Sequence, residues 1–188
     1  KNNPDFCTEF KADAEKRAKS QEKQTETAVA LRLKGNRYFK AKRYQEALGL
    51  YMDSLKERPY CYVTLTNCCQ AHLKRTEWAD ALEFADRAIY LEPSTVKART
   101  RRVVALHALD RLREAIEEAQ KAHELSPEDT EIDAQLKALE VESADRDFEA
   151  TVRKNSRLAT PKPKPTVAAT ATGGINTPSS PPASSIPT

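Results

Sequence analysis

Glycine and long apolar runs are both scarce in this chain of 188 residues. Only two of its four glycines, Gly35 and Gly49, occur before residue 156, and glycine weakens a helix interior more than any residue except proline. This scarcity favours an all-helical body. No apolar stretch approaches the ~18 residues that a membrane-spanning helix needs, and no apolar segment opens the chain as a secretory signal would. Because the first residue is Lys1, we expect the sequence to be a piece of a longer protein.

A strong excess of one charge sign is also missing. Lys and Arg total 31 against 28 Asp and Glu, so the formal net charge is only +3. Proteins that bind nucleic acid or membrane surfaces through bulk charge are usually more one-sided than this. We therefore expect neither nucleic acid nor a membrane as a partner.

Patterns typical of metal binding or catalysis do not occur either. The four cysteines are Cys7, Cys61, Cys68 and Cys69. They contain no C-x-x-C spacing, so we expect reduced cytosolic thiols rather than a zinc site or a disulfide framework. The histidines are scattered without a paired nucleophile, and no phosphate-binding loop is present. The sequence therefore predicts no catalytic residue, no cofactor and no metal.

A repeat of 34 residues runs through the middle of the chain. Three sets of similar residues recur at this interval: Pro59, Pro93 and Pro127; Ala47, Ala81 and Ala115; Ser54, Ala88 and Ala122. Small residues let one helix approach its neighbours closely, and a proline ends that helix. The period and the pattern resemble the tetratricopeptide repeat (TPR), which implies pairs of helices, A and B, stacked as a right-handed solenoid.

The predicted fold is therefore all-α, with three helix-turn-helix repeats and a long C-terminal capping helix. We expect A helices at 28–41, 62–74 and 95–108, and B helices at 44–57, 78–91 and 112–125. The predicted domains are a charged helical extension (1–27), the repeats (28–61, 62–95 and 96–129), a capping helix (127–155) and a disordered tail rich in Pro, Ser and Thr (156–188). Unit three departs from the family pattern at Arg99, Arg102 and Val103.

Polar side chains on the A helices are the candidate binding residues, because A helices line the concave side of such a solenoid. Two pairs spaced i,i+4 and one central asparagine stand out: Arg32 and Asn36, Asn67, and Lys97 and Arg101. They resemble the dicarboxylate clamp of chaperone-binding TPR domains, with Arg32 in place of the more usual Lys. The resemblance implies binding of the C-terminal Glu-Glu-Val-Asp peptides of the seventy- and ninety-kilodalton heat-shock chaperones. It also implies Phe39 and Leu73 as an apolar wall for the peptide Val, and Lys74 as a rim contact.

The residue types suit that ligand chemically. A chain-terminal Asp presents two carboxylates within one residue, and each charge-assisted hydrogen bond from Lys or Arg contributes about 1.5–3 kcal/mol. Asn donates through its amide and accepts from peptide backbone. We expect the side chains of Lys97 and Arg101 to be solvated, so that replacing either one leaves stability unchanged.

Two other interpretations remain open. The first is a nucleic-acid-binding patch. A basic helix surface is predicted from Arg99 and Arg102 together with Lys97 and Arg101, but nearby aromatics for base stacking are lacking. A structural TPR scaffold in a larger assembly is the second alternative. The lead-in 10–18 and the segment 31–36 resemble the family of tetratricopeptide repeat protein 12, which implies a role in axonemal dynein assembly. We expect a cytoplasmic protein, with the cilium or flagellum as a second location and a client protein of unknown identity as a second partner.

Overall fold

Seven α-helices make up the part of the chain that the structure describes. The computed structural model describes the backbone of residues 4–159 and the side chains of residues 8–156. The helices are α1 (Pro4–Lys40), α2 (Tyr44–Glu57), α3 (Tyr62–Lys74), α4 (Trp78–Leu91), α5 (Val96–Ala108), α6 (Leu112–Leu125) and α7 (Thr130–Ala159). No strand occurs in this described part, and the predicted all-α fold is confirmed. The predicted disordered tail began at 156, but residues 156–159 are helical as the end of α7; the rest of the predicted tail and the Cys7 side chain lie outside the described residues.

The predicted helix pairs are present, with one difference at the N-terminus. Helices α2, α3, α4 and α6 have the bounds that the repeat pattern predicted. Helix α1 instead runs without a break through residue 28, where the first A helix was expected to begin. Residues 8–27 contain strong helix formers and no glycine or proline, so nothing in this segment interrupts the helix. None of the described helices has the length and apolar character needed to cross a bilayer.

The turn inside each helix pair repeats with the same backbone geometry. Three non-glycine residues 34 positions apart have positive φ: Lys42 (61°), Thr76 (60°) and Asp110 (59°). The next residue in each turn donates its backbone N–H to the carbonyl five positions earlier, as Arg43 does to Tyr38. This bond closes the end of the A helix in the manner of a Schellman motif. The tertiary contacts of the pair hold each turn in a conformation that costs about 1–2 kcal/mol for an L-residue.

The turn between successive pairs is shaped by proline. Arg58, Glu92 and Ser126 follow the B helices, and each precedes one of the repeating prolines. Their φ angles are −136°, −140° and −147°, so the chain is extended there. A proline ring clashes with a helical residue before it, which is why these positions leave the helix.

The core lies between the helices of each pair and between neighbouring pairs. Small residues at the repeating positions Ala47, Ala81 and Ala115 are fully buried. Gly35 on α1 faces the ring of Tyr51 on α2 so closely that a Cβ added at Gly35 would lie 2.5 Å from a ring carbon. Glycine is therefore required at this helix crossing, and α1 and α2 pack with their backbones close together.

Unit three replaces an apolar contact position by a group of ion pairs. Leu65 and Phe84 belong to the buried core in unit two, and the residues 34 positions later are Arg99 and Glu118. Glu118 is only 2% exposed. Its carboxylate accepts from Arg99 Nη1 at 2.5 Å and from Arg102 Nη1 at 2.7 Å. The two arginines thus do not form the predicted basic surface: that prediction was wrong, because a buried carboxylate 16 and 19 residues further along the chain pairs with both.

Helix α7 packs on unit three as the predicted capping helix would. The structure begins it at Thr130, with Asp129 as the N-cap, whose Oδ1 accepts from the backbone of Glu131 at 3.0 Å. The predicted start at 127 was therefore three residues early. Leu139 of α7 is buried in one cluster with Val103 and Leu106 of α5, and Ile132 of α7 is buried as well. By compactness, the described residues up to Ala150 belong to one unit and those from Thr151 to a second.

The close contact of α1 with α2 predicts that alanine substitutions at Gly35 and Gly49 have opposite effects on stability. Gly35→Ala should destabilise the protein by about 1–3 kcal/mol, because its Cβ overpacks against Tyr51. Gly49→Ala adds a methyl group where no atom lies within 4 Å, and should stabilise the helix by up to about 1 kcal/mol. Urea unfolding of both variants measures the two effects, and equal stabilities would contradict the packing argument.

The burial of Glu118 predicts that alanine variants of Glu118 and of its neighbour Glu117 differ in stability. Glu118→Ala leaves two arginines without their shared carboxylate and should cost about 3–5 kcal/mol. Glu117→Ala alters the exposed neighbour and should change stability by less than about 0.5 kcal/mol. Thermal unfolding followed by circular dichroism compares them, and a small effect at Glu118 would show that its ion pairs contribute little.

Candidate functional site

Two adjoining clefts open between the A helices. The first has a volume of about 450 Å³ and the second of about 550 Å³. The first is lined by Leu33, Asn36, Arg37, Phe39, Lys40, Tyr51, Asn67 and Gln70. The second is lined by Tyr62, Val63, Thr66, Asn67, Glu92, Ser94, Thr95, Val96, Lys97 and Arg101. Asn67 lines both clefts, and together they are called the groove below.

The groove brings together most of the residues singled out in the sequence. Asn36, Phe39, Asn67, Lys97 and Arg101 all line it. Arg32 lines neither cleft: it is half-buried one turn before Asn36, and its charge opposes the rise in the pKa of Tyr51. The other two candidates line neither cleft. Leu73 packs partly buried against the core, and Lys74 is exposed at the end of α3.

A hydrogen-bonded chain of three side chains forms the floor of the first cleft. Asn36 Oδ1 accepts from the Tyr51 hydroxyl at 2.8 Å and from Asn67 Nδ2 at 3.1 Å. Tyr51 is 1% exposed. Burial raises its pKa to about 12, so the hydroxyl remains protonated and can donate at physiological pH. The bonds join α1, α2 and α3 beneath the groove.

Arg101 is held in place by α3. Its Nη1 donates to the backbone carbonyl of Thr66 at 2.7 Å, and its Nη2 donates to Gln70 Oε1 at 2.8 Å. Burial lowers the pKa of Arg101 from its usual value, but a guanidinium stays charged. Arg101 therefore places a fixed positive charge in the wall of the second cleft. The expectation that this side chain is solvated was wrong, because α3 packs over it.

Lys97 differs from Arg101 in having freedom to move. Its side chain is exposed, and its ammonium has no ion pair or hydrogen bond within the described part of the chain. The lining also includes Arg37 and Lys40 in the first cleft, and Glu92 is the acid among the lining residues. Glu92 accepts from the Ser94 hydroxyl. The balance of charge makes the groove suitable for an anionic ligand.

Most lining residues were not named as binding residues from the sequence, among them Arg37, Lys40, Tyr51 and Gln70. Gln70 follows Asn67 by three positions and Thr66 by four, so a projection of α3 onto its groove face would have found it. Arg37 and Lys40 lie within one turn of Asn36 and could have been found in the same way. The role of Tyr51 has no such signal, because it depends on contact between two helices.

One histidine outside the groove belongs to a cluster of possible metal ligands. His72, Glu77 and Asp80 have ligand atoms within 4.8 Å of one another. His72 Nδ1 is hydrogen-bonded to Glu77 Oε2 at 2.8 Å, and Arg75 contacts the other oxygen of Glu77 at 2.8 Å. These contacts account for the cluster as a link across the turn between α3 and α4.

The cysteines among the residues with described side chains are free thiols. They are Cys61, Cys68 and Cys69. Burial raises the pKa of both Cys68 and Cys69 to about 12, so neither forms the thiolate that nucleophilic attack or metal binding requires. Both therefore act as small core residues.

Comparison with known proteins finds relatives but no matching family model. RNA polymerase II-associated protein 3 of Homo sapiens is 33% identical over 115 residues, which are 61% of this chain and 17% of that protein. Sperm-associated antigen 1 of Mus musculus is 34% identical over 95 residues, covering 50% of this chain and 10% of that protein. The chain thus spans less than a fifth of the length of these curated relatives.

Two solved structures are similar over nearly their whole length. One is the first TPR of Spaghetti (RPAP3) bound to the HSP90 peptide SRMEEVD, with a TM-score of 0.63 and 32% identity, covering 64% of this chain and 95% of that one. The other is the first TPR domain of human RPAP3, with a TM-score of 0.63 and 31% identity, covering 66% and 98%.

The contrast between the two cations of the second cleft predicts different effects on stability. Arg101→Ala removes two hydrogen bonds and should destabilise the protein by about 1–3 kcal/mol. Lys97→Ala should change stability by less than about 0.5 kcal/mol, because its side chain is exposed. The free energy of unfolding in urea distinguishes them, and equal values would contradict the assignment of Arg101 as a half-buried side chain held by two hydrogen bonds.

Proposed function

The chain belongs to the family of tetratricopeptide-repeat domains that includes the first TPR domain of RPAP3, and on this premise we propose that its groove binds the free C-terminus of a heat-shock chaperone. The observation that carries the proposal is the convergence of Asn36, Asn67, Lys97 and Arg101 in one groove. The protein would act as a co-chaperone adaptor, and not as an enzyme.

The donors of the groove match a terminal carboxylate better than a carboxylate within a chain. A C-terminal Asp presents two carboxylates, and the groove offers one fixed cation in Arg101 and one mobile cation in Lys97. Asn67 belongs to both clefts, so its amide can reach a peptide that passes from one to the other. Charge-assisted hydrogen bonds of this kind are about twice as strong as neutral ones.

The first cleft offers apolar surface beside these donors. Leu33 and Phe39 line it, and the Phe39 ring packs against Tyr44 with a centroid distance of 5.2 Å. A valine next to the terminal Asp would find its contact there. The basic residues Arg37 and Lys40 on the same helix would suit the glutamates that precede the valine. A peptide ending in Glu-Glu-Val-Asp, the ending of the peptide bound to the first TPR of Spaghetti, therefore fits both clefts.

Other parts of the proposal are independent of the groove. A client protein bound elsewhere on the chain would make the domain an adaptor. A cytoplasmic location, with the cilium as the second candidate, and a role in axonemal dynein assembly remain predictions from the sequence.

The proposed function predicts carboxylate-dependent peptide binding. The peptide SRMEEVD should bind with micromolar affinity, about −8 kcal/mol, and more weakly as salt is added. Lys97→Ala should weaken binding by about 1.5–3 kcal/mol, tenfold or more, because one charge-assisted bond is lost. Isothermal titration calorimetry measures both.

Two controls test whether binding depends on the position of the removed charge and on the free carboxylate of the peptide. Lys19→Ala removes the same charge from α1 at about 25 Å along the helix axis from Asn36, and should bind like the wild type. The peptide with an amidated C-terminus should bind poorly. Equal binding by Lys97→Ala and Lys19→Ala, or no effect of amidation, would rule out the carboxylate clamp in favour of a structural scaffold.

A further inference from the structure

Tyr51 lies beneath the groove because Gly35 leaves room for it. Its ring occupies the space that a side chain at Gly35 would fill, with two ring carbons 2.5 and 2.7 Å from the position of the missing Cβ. From there its hydroxyl reaches Asn36 Oδ1, on the residue after the glycine, at 2.8 Å. The side chain that fills the space beside Gly35 between α1 and α2 therefore also lines the groove.

A core role alone does not account for this hydroxyl. The residues at the same repeat position in units two and three are Ala85 and Ala119, and both are buried without any polar group. Phenylalanine would fill the same space in unit one. The tyrosine occurs in the unit that also carries Asn36, whose equivalents in the other units are Gln70 and Val104. The hydroxyl therefore occurs together with Asn36, and the packing of the core does not require it.

The two bonds to Asn36 determine which half of its amide is available to a ligand. An amide oxygen has two lone pairs, and the Oδ1 of Asn36 accepts from both Tyr51 and Asn67. Turning the amide over would place its NH₂ group against the NH₂ group of Asn67, donor against donor. The oxygen therefore stays on the protein side, and the Nδ2 hydrogens remain to donate to a ligand in the groove.

The Tyr51 hydroxyl is affected by the charges of two of the predicted clamp residues. The charges of Arg32 and Arg101 both act on Tyr51, against the effect of burial on its pKa. Since burial dominates, the hydroxyl does not ionise in the physiological range and remains a donor. An Asn36 without this donor would lose one of the two contacts that hold its orientation among these cations.

We propose that Tyr51 is a positioning residue of the groove: its hydroxyl, together with Asn67, holds the Asn36 carboxamide with its N–H groups directed at the terminal carboxylate of the bound peptide. This inference rests on the proposed function. Tyr51 itself would not touch the peptide carboxylate. It would act through Asn36, by preparing the donor before the ligand arrives.

The test is Tyr51→Phe, which keeps the ring and removes the hydroxyl. Affinity for the free-acid peptide SRMEEVD should fall about threefold to tenfold, the loss expected for one neutral hydrogen bond. Affinity for the amidated peptide should hardly change, so discrimination between the two peptides should shrink. Tyr38→Phe, on α1, is the matched control: its hydroxyl makes no hydrogen bond within the described part of the chain, and binding should be unchanged.

A double-mutant cycle separates positioning from general destabilisation. In an Asn36→Ala background, Tyr51→Phe should have no further effect on affinity, because the side chain that it positions is gone. If Tyr51→Phe weakens both peptides equally, or weakens binding as much without Asn36 as with it, Tyr51 has only a packing role and the proposal is wrong.

A spectroscopic readout makes the result independent of the peptide. The side-chain NH₂ resonances of Asn36 should shift and broaden in Tyr51→Phe and stay unchanged in Tyr38→Phe. If wild-type protein fails to bind either peptide, the proposed function is wrong, and these resonances alone decide whether Tyr51 orients Asn36. A different outcome separates the two proposals. If wild-type protein binds the free-acid peptide more tightly than the amidated one, and Tyr51→Phe neither reduces that difference in affinity nor shifts the Asn36 resonances, the positioning role is wrong and the proposed function stands.

Discussion

The contact between Gly35 and the ring of Tyr51 links the packing of the first helix pair to the chemistry of the groove. The absence of a Cβ at Gly35 brings α1 and α2 close, and that closeness carries a hydroxyl from the buried side of α2 to Asn36. Asn36 in turn accepts from Asn67 on α3. One missing side chain therefore affects the position of three helices and the direction of two amide groups. A larger residue at Gly35 would move the groove floor as well as the core.

The third unit shows that the same helix-pair geometry tolerates an ionic core position. Where unit two has Leu65 and Phe84, unit three has Arg99 and Glu118, joined by Arg102. Removing charges from water is costly, so such a group is stable only when every partner is present. Here both carboxylate oxygens of Glu118 are occupied. The substitution at Arg99 is therefore understandable only together with the one at Glu118.

The donors of the groove differ in how far they are arranged before a ligand arrives. Arg101 is bonded to α3 through both terminal nitrogens, and Asn36 and Asn67 hold one another. Lys97 is exposed and unbonded within the described residues. Groups that are already ordered lose little conformational entropy on binding, whereas a lysine loses much of its rotamer freedom. In the proposed function, the fixed donors would define where a carboxylate binds, and Lys97 would add a charge that can adjust to it.

The sequence by itself determined the helices, the period of 34 residues and the spacing of polar side chains on the A helices. These depend on local properties: helix propensity, proline at the ends of the B helices, and i,i+4 spacing on one helix face. Tertiary structure alone decided which of the basic residues of α5 are free. Lys97, Arg99 and Arg101 look alike in sequence, but Arg99 pairs with a buried carboxylate, Arg101 with α3, and Lys97 with neither. It also decided that Arg32, Leu73 and Lys74 lie outside the lining of the two clefts, and that the Tyr51 hydroxyl is hydrogen-bonded to Asn36. The physical reason is that solvation and hydrogen bonding depend on which helices stack against each side chain, and partners 16 to 35 residues away leave no local pattern.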